Sequence, residues 1–174
     1  MKIKFVFTLF LFLTMKGVDA QLTLSQARMS YLSLADDKCK ALELSKKFDK
    51  YPPSDALMKA YYGASLAAAP ECLNNPLDKL KYFRRGKQFL DEAVKLDPTQ
   101  VEIRFLRFAT QTKAPSFLGY SGNIDEDKKT IFRFFVSYAK LEDNREMSRQ
   151  IARFLINSGK LTADEQAGLT AYIN

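Results

Sequence analysis

Apolar residues recur along this chain at steps of three and four, and no segment shows sustained alternation of apolar and polar positions. Steps of three and four place side chains on one face of an α-helix, whereas alternation would indicate a β-strand. Together with the proline positions, the pattern predicts an all-α chain of about seven helices and no sheet. The predicted helices span residues 21–50, 54–69, 75–96, 99–114, 123–141, 143–159 and 162–172.

The fourth predicted helix carries the most specific sequence. Thr99 is a candidate N-cap, and Glu102 lies three residues later, as a capping box requires. The helix is apolar around most of its circumference, but three polar residues are spaced so that they point the same way: Arg104, Arg107 and Gln111. A partly buried guanidinium without an acceptor is costly, so this polar stripe must meet acceptors elsewhere in the fold.

The loop after this helix begins at Pro115 and contains the apolar residues Phe117, Leu118 and Tyr120. We expect these three side chains to fill part of a core, while Arg104 and Arg107 bind loop carbonyls or the acidic residues of the next helix start, 125–127. The alternative is a binding pocket for an anion or carboxylate beneath the loop. Its candidate residues are Arg104, Arg107, Gln111, Phe117 and Tyr120.

Residues 1–20 have the pattern of a cleaved signal peptide. Lys2 and Lys4 precede an apolar run, and the small residues Val18 and Ala20 suit a signal peptidase. The run is shorter than the roughly 20 residues that a membrane-spanning helix needs, although an uncleaved anchor is the alternative. We therefore expect residues 21–174 to form one domain without an integral membrane segment, exported to the periplasm or secreted.

Cleavage would leave 24 basic and 19 acidic residues, a net charge of +5 instead of +7. Five of the nine residues in 79–87 are basic. Nucleic acid is one conceivable partner for such a segment. We do not predict it, because the five cations spread around the predicted helix and because export argues against it.

Catalytic and metal-binding signals are weak. The chain contains no histidine, which removes the commonest general base and zinc ligand, and it has no glycine-rich phosphate loop. We therefore predict a non-enzymatic protein without a metal or cofactor. Cys39 and Cys72 are the only cysteines. Export would permit a disulfide between them, but their distances along the predicted helices are equally compatible with two separately buried thiols.

Gly86, Leu90, Ala93 and Pro98 resemble the second helix of a tetratricopeptide repeat, with Gly63 as the small residue of the partner helix. The linker over residues 70–75 is longer than the usual turn of that family. The resemblance implies a right-handed array of stacked antiparallel hairpins.

More broadly, the segments Asn75–Lys87, Glu102–Arg107 and Phe117–Tyr120 resemble those of small exported helical proteins of Gram-negative bacteria. We therefore predict a protein- or peptide-interaction module of the cell envelope. A binder of anions or small ligands is the alternative.

Overall fold

The computed structural model describes residues 21–35, 37 and 39–173, and the regular secondary structure within them is helical, without strands. The predicted all-α class is confirmed, and the described residues form eight α-helices where seven were predicted. They are α1 Leu24–Leu32, α2 Lys40–Lys50, α3 Ala56–Ala68, α4 Pro76–Leu96, α5 Val101–Lys113, α6 Ile124–Ala139, α7 Arg145–Asn157 and α8 Ala163–Thr170. The predicted signal peptide, residues 1–20, lies outside the described residues.

The prediction of one continuous helix over residues 21–50 is wrong. The chain leaves α1 through a 3₁₀ turn, Ser33–Ala35, and starts α2 at Lys40. Asp37 helps to separate the two helices, since its side chain accepts a hydrogen bond from the Cys39 N–H at 2.8 Å. Such local side-chain bonds compete with helix continuation. Cys39, immediately before α2, forms a disulfide with Cys72, four residues before α4.

Several helix ends follow the expected capping rules. Asn75 caps α4 by accepting from the Leu77 N–H at 2.9 Å, and Thr162 forms a capping box with Glu165 at the start of α8. The predicted capping box at Thr99 is wrong. Gln100 caps α5 instead, by accepting from the Glu102 N–H at 2.6 Å. The Glu102 side chain is thereby free to point into the protein.

Helices α3 and α4 form a tightly packed hairpin through two glycines. A Cβ at Gly86 would lie 2.5 Å from the Ala67 nitrogen and 2.6 Å from the Gly63 oxygen. A Cβ at Gly63 would lie 2.8 Å from the Gly86 oxygen. Only glycine therefore permits this backbone approach. The two helices meet at the small residues to which the tetratricopeptide resemblance pointed, while the right-handed array remains a prediction.

Helix α5 lies at the centre of the molecule. Every residue from Val101 to Ala109 is buried, and the helix packs against α3, α4, α6 and α7. Phe105 and Phe108 belong to one buried cluster with Leu90 and Phe135. Among the described residues, no helix is both long enough and apolar enough to cross a lipid bilayer.

Candidate functional site

Four polar side chains of α5 are buried in the centre of the protein. Glu102 is 0% exposed, Gln111 is 2%, and Arg104 and Arg107 are each 5%. Charges at such depth must be paired, because their desolvation is otherwise uncompensated. They belong to two separate clusters, which we call the Asp127 network and the Glu102 network after the carboxylate at the centre of each.

The Asp127 network joins α5 to the first turn of α6. Arg107 binds the carboxylate in fork geometry, with Nε 2.8 Å from Oδ2 and Nη2 2.6 Å from Oδ1 of Asp127. Arg104 Nη1 donates to Asp127 Oδ1 at 2.9 Å, and Gln111 Nε2 donates to Oδ2 at 2.8 Å. Asp127 is 0% exposed. Its two oxygens thus accept four hydrogen bonds, three of them from guanidiniums, which is the strong, charge-assisted kind.

Two further carboxylates lie at the edge of this network. Glu126 accepts from Arg104 Nη1 at 2.6 Å, and this bond is the main reason why the pKa of Glu126 is lowered. Asp91 of α4 lies 3.4 Å from Arg107 Nη1 and accepts from the Tyr120 hydroxyl at 3.2 Å. Burial, followed by the nearby charge of Asp91, raises the pKa of Tyr120. Both guanidiniums therefore have the protein acceptors that the structural interpretation of the stripe requires.

The acceptors are not those of the loop itself. Arg104 and Arg107 bind the start of α6, and their links toward the loop are indirect. Gln111 Oε1 accepts from the Asn123 N–H at 2.9 Å, and Asp91 joins Arg107 to Tyr120. The expectation that Phe117 fills a core is wrong, because its side chain is 84% exposed. Phe117 lies within the 3₁₀ turn Ser116–Leu118. The left-handed Gly119, with φ of 62°, lies between this turn and the buried Tyr120.

Tyr120 is the aromatic residue of the loop that packs inward. Its ring meets Phe83 of α4 edge-on, with the centroids 5.8 Å apart. Lys87 of α4 places its Nζ 5.4 Å from the centroid of the same ring. The structure therefore brings Arg104, Arg107, Gln111 and Tyr120 to one region of the fold and leaves Phe117 on the surface.

The Glu102 network was not predicted from the sequence. Arg28 of α1 forms a fork with Glu102, with Nε 2.9 Å from Oε1 and Nη2 2.6 Å from Oε2. Tyr138 of α6 donates to Oε2 at 2.8 Å, and Tyr61 of α3 donates to Oε1. Arg28 Nη2 also donates to the Asn144 side chain at 2.9 Å. One buried carboxylate therefore joins α1, α3, α5, α6 and the start of α7.

Burial is also the first cause of raised pKa values for the two tyrosines of this network, Tyr61 and Tyr138, and the charge of Glu102 is the second. The signal that could have indicated the network is a carboxylate within an otherwise apolar helix. Residue spacing accounted for Glu102 as a local cap, and its true partner Arg28 is 74 positions away. Spacing rules within one helix cannot indicate the Arg28–Glu102 pair.

Both networks are closed sets of mutually satisfied groups. Among the buried side-chain nitrogen and oxygen atoms of the described residues, Ser148 Oγ alone lacks a hydrogen-bond partner. The same part of the chain contains no group of three or more Cys, Asp or Glu side chains that could hold a metal ion. The geometry therefore supports a mechanical role for the networks, namely fixing the helices around α5.

Comparison with known proteins gave no match to a family model, to a curated protein or to a solved structure.

Proposed function

We propose that this protein acts after export, without catalysis, by binding a protein or peptide partner through its surface. The disulfide between Cys39 and Cys72 is typical of oxidising compartments and so supports export. The absence of histidine and the mutual satisfaction of the buried ionic groups support a role that needs no reactive side chain.

The observation that carries the proposal is the exposed ring of Phe117. The loop that bears it is fixed at both sides: the Leu118 N–H donates to the Pro115 carbonyl at 3.0 Å, and the buried Tyr120 hydroxyl donates to Asp91. A rigid loop loses little conformational entropy when it binds. Aromatic side chains are enriched in the cores of protein interfaces. Phe117 therefore has the properties of a partner anchor that is already held in place.

The experiment compares proteins recovered from envelope extracts with immobilised wild type, Phe117→Ser and Leu141→Ser. Leu141 is a matched control because it is also an exposed apolar side chain, at 59%, in a different segment. We expect a partner that wild type and Leu141→Ser retain in equal amounts and that Phe117→Ser loses. Equal recovery of every bound protein by all three would contradict the proposal.

The anion-binding alternative has weaker support, because Asp127 and Glu126 already occupy the donors of Arg104 and Arg107. A melting experiment with and without sulfate tests it directly. A pocket would make sulfate stabilise the wild type more than Arg107→Ala. We expect equal shifts of Tm in the two proteins.

A further inference from the structure

Helices α2 and α4 together expose a dense group of basic side chains. We call this group the basic surface. Its members are Lys46, Lys47 and Lys50 of α2, and Lys79, Lys81, Arg84, Arg85 and Lys87 of α4, all of them exposed.

Helices α2 and α4 both pack on α3 and run in the same direction. The disulfide joins the residue before α2 to the segment just before α4, so the two helices start close together. Arg85 Nη2 then donates to Asp49 Oδ1 at 2.6 Å. Asp49 is the tenth residue of α2, and Arg85 is the tenth residue of α4. Equal positions from a common start mean that the helices are parallel and in register.

This register sets the second half of α2 opposite the first half of α4, with the Arg85–Asp49 pair between them. Both helices pack on α3, whose Tyr62 ring lies 5.4 Å from the Phe48 ring of α2 and 4.6 Å from the Phe89 ring of α4. The second half of α2 therefore lies beside the part of α4 that contains Lys81 and Arg84.

The basic surface carries more positive than negative charge. Helices α2 and α4 contain ten basic and five acidic residues, and of the acidic ones Asp49 binds Arg85 and Glu92 binds Lys59. Within the part of the chain that the structure describes, no carboxylate forms an ion pair with Lys46, Lys47, Lys79, Lys81 or Arg84. Such one-sided charge is unfavourable in the free protein and accelerates association with a partner of opposite charge.

The basic surface extends as far as the loop that carries Phe117. Lys87, its last member on α4, lies over the ring of Tyr120 in that loop. An aromatic anchor beside a charged area is the usual anatomy of a protein interface, with an apolar centre and a polar rim.

We propose that the basic surface binds an acidic polypeptide segment of the partner. The inference rests on the proposed function, because it assigns a chemical class to the same partner. A lipid surface fits less well, because membrane-binding faces combine cations with several inserted apolar side chains. Tyr51, after the end of α2, and Leu77, at the start of α4, are exposed apolar residues beside the basic surface, but they lie at opposite ends of the parallel helices and form no apolar patch.

The test uses a fluorescein-labelled, Glu-rich peptide of about twelve residues, long enough in extended form to cross both helices. Its anisotropy is titrated with wild type and with the double variant Lys46→Glu/Lys81→Glu, at about 0.02 M and about 0.2 M salt. The control is Lys129→Glu/Lys140→Glu, which makes the same change in net charge at exposed lysines of α6 and its C-cap. Circular dichroism verifies that both variants are folded.

We expect the peptide to bind wild type and the control within about twofold of each other, and the Lys46/Lys81 variant at least about tenfold more weakly, with the difference shrinking at higher salt. Equal weakening in both variants, or equal binding of a Gln-rich peptide, would overturn the inference. Wild type is tested in the same way with phosphatidylglycerol vesicles and with duplex DNA. If either binds wild type more tightly than the Glu-rich peptide does, and the Lys46/Lys81 variant loses that binding, the inference of an acidic polypeptide is wrong and the partner belongs to that other class. If the Phe117-dependent partner still binds the Lys46/Lys81 variant, the proposed function stands and this inference fails.

Discussion

Replacing Asp127 with asparagine removes one charge from the centre of the protein and keeps the shape of the side chain. In the wild type, both carboxylate oxygens accept bonds, from Arg107 and Arg104 on one side and from Arg107 and Gln111 on the other. An amide has one oxygen and one NH₂ group, so whichever way the new side chain points, its NH₂ meets two donors. Two guanidiniums, each 5% exposed, also lose their fully buried counter-charge and keep only the more exposed carboxylates of Glu126 and Asp91.

The expected loss of stability follows from this geometry. Breaking a buried ion pair by removing one partner costs about 3–5 kcal/mol. Glu126→Gln is the matched control, because Glu126 is the preceding residue and binds the same Arg104 at 2.6 Å, but its side chain is 53% exposed. An exposed pair contributes less than about 1 kcal/mol. For a domain of this size, about 1 kcal/mol shifts Tm by roughly 2–4 °C.

Urea denaturation of wild type, Asp127→Asn and Glu126→Gln measures the free energies of unfolding, and thermal melts give an independent ranking. A third variant, Arg107→Lys, keeps the charge but loses the fork, so we expect a cost of about 1–3 kcal/mol. If Asp127→Asn is no less stable than Glu126→Gln, the buried carboxylate is not the centre of the network. An Asp127→Asn or Arg107→Lys variant more stable than wild type would instead indicate a ligand-binding site whose charges destabilise the free protein.

Four further outcomes are expected. Gly86→Ala should lower the free energy of unfolding by about 1–3 kcal/mol, because the new Cβ meets backbone atoms. Gly168→Ala, with open space around the new Cβ, should raise it by up to about 1 kcal/mol. Phe108→Ala, at a fully buried position, should cost about 3–5 kcal/mol in urea denaturation. Reducing the disulfide, which closes a loop of 33 residues, should cost about 3–4 kcal/mol, measured as a fall in Tm with added thiol. Tyr61 and Tyr138 have raised pKa values in the folded state, so their contribution to the free energy of unfolding is complete below about pH 10 and is lost as the pH rises further. The absorbance of their tyrosinate forms should therefore appear only together with unfolding. Tyrosinate absorbance from these two residues in folded protein would contradict their burial beside Glu102.

Sequence periodicity was sufficient to predict the helical class, the wide apolar face of α5 and the shared direction of Arg104, Arg107 and Gln111. These features depend on spacing within one helix, which is local information. The choice of Asp127 as the central acceptor depends on the angle at which α6 approaches α5, and no spacing rule fixes that angle. The sequence could therefore indicate the acidic start of α6 as a neighbour of the two arginines, but not which carboxylate they bind.

The remaining errors have the same origin. Glu102 fitted a local capping rule, and that rule concealed a partner on α1 that is distant in sequence. The break between α1 and α2 depends on a single Asp37 side chain bond and on a disulfide to another helix. The apolar composition of the loop predicts that Phe117 is buried. The left-handed Gly119 changes the chain direction after Phe117, so that Tyr120 and not Phe117 packs inward.

The Glu102 network has a consequence for the order in which the molecule assembles. Its members come from the first described helix and from segments as late as Asn144, so the site for Arg28 does not exist until most of the chain is available. A chain that emerges from a ribosome or a translocation pore presents α1 first. That helix must nevertheless wait, with its guanidinium in water, until α3, α5 and α6 have come together around Glu102. Helix α1 is thus made before α3, α5 and α6, but its guanidinium gains the buried partner only after all three have been made.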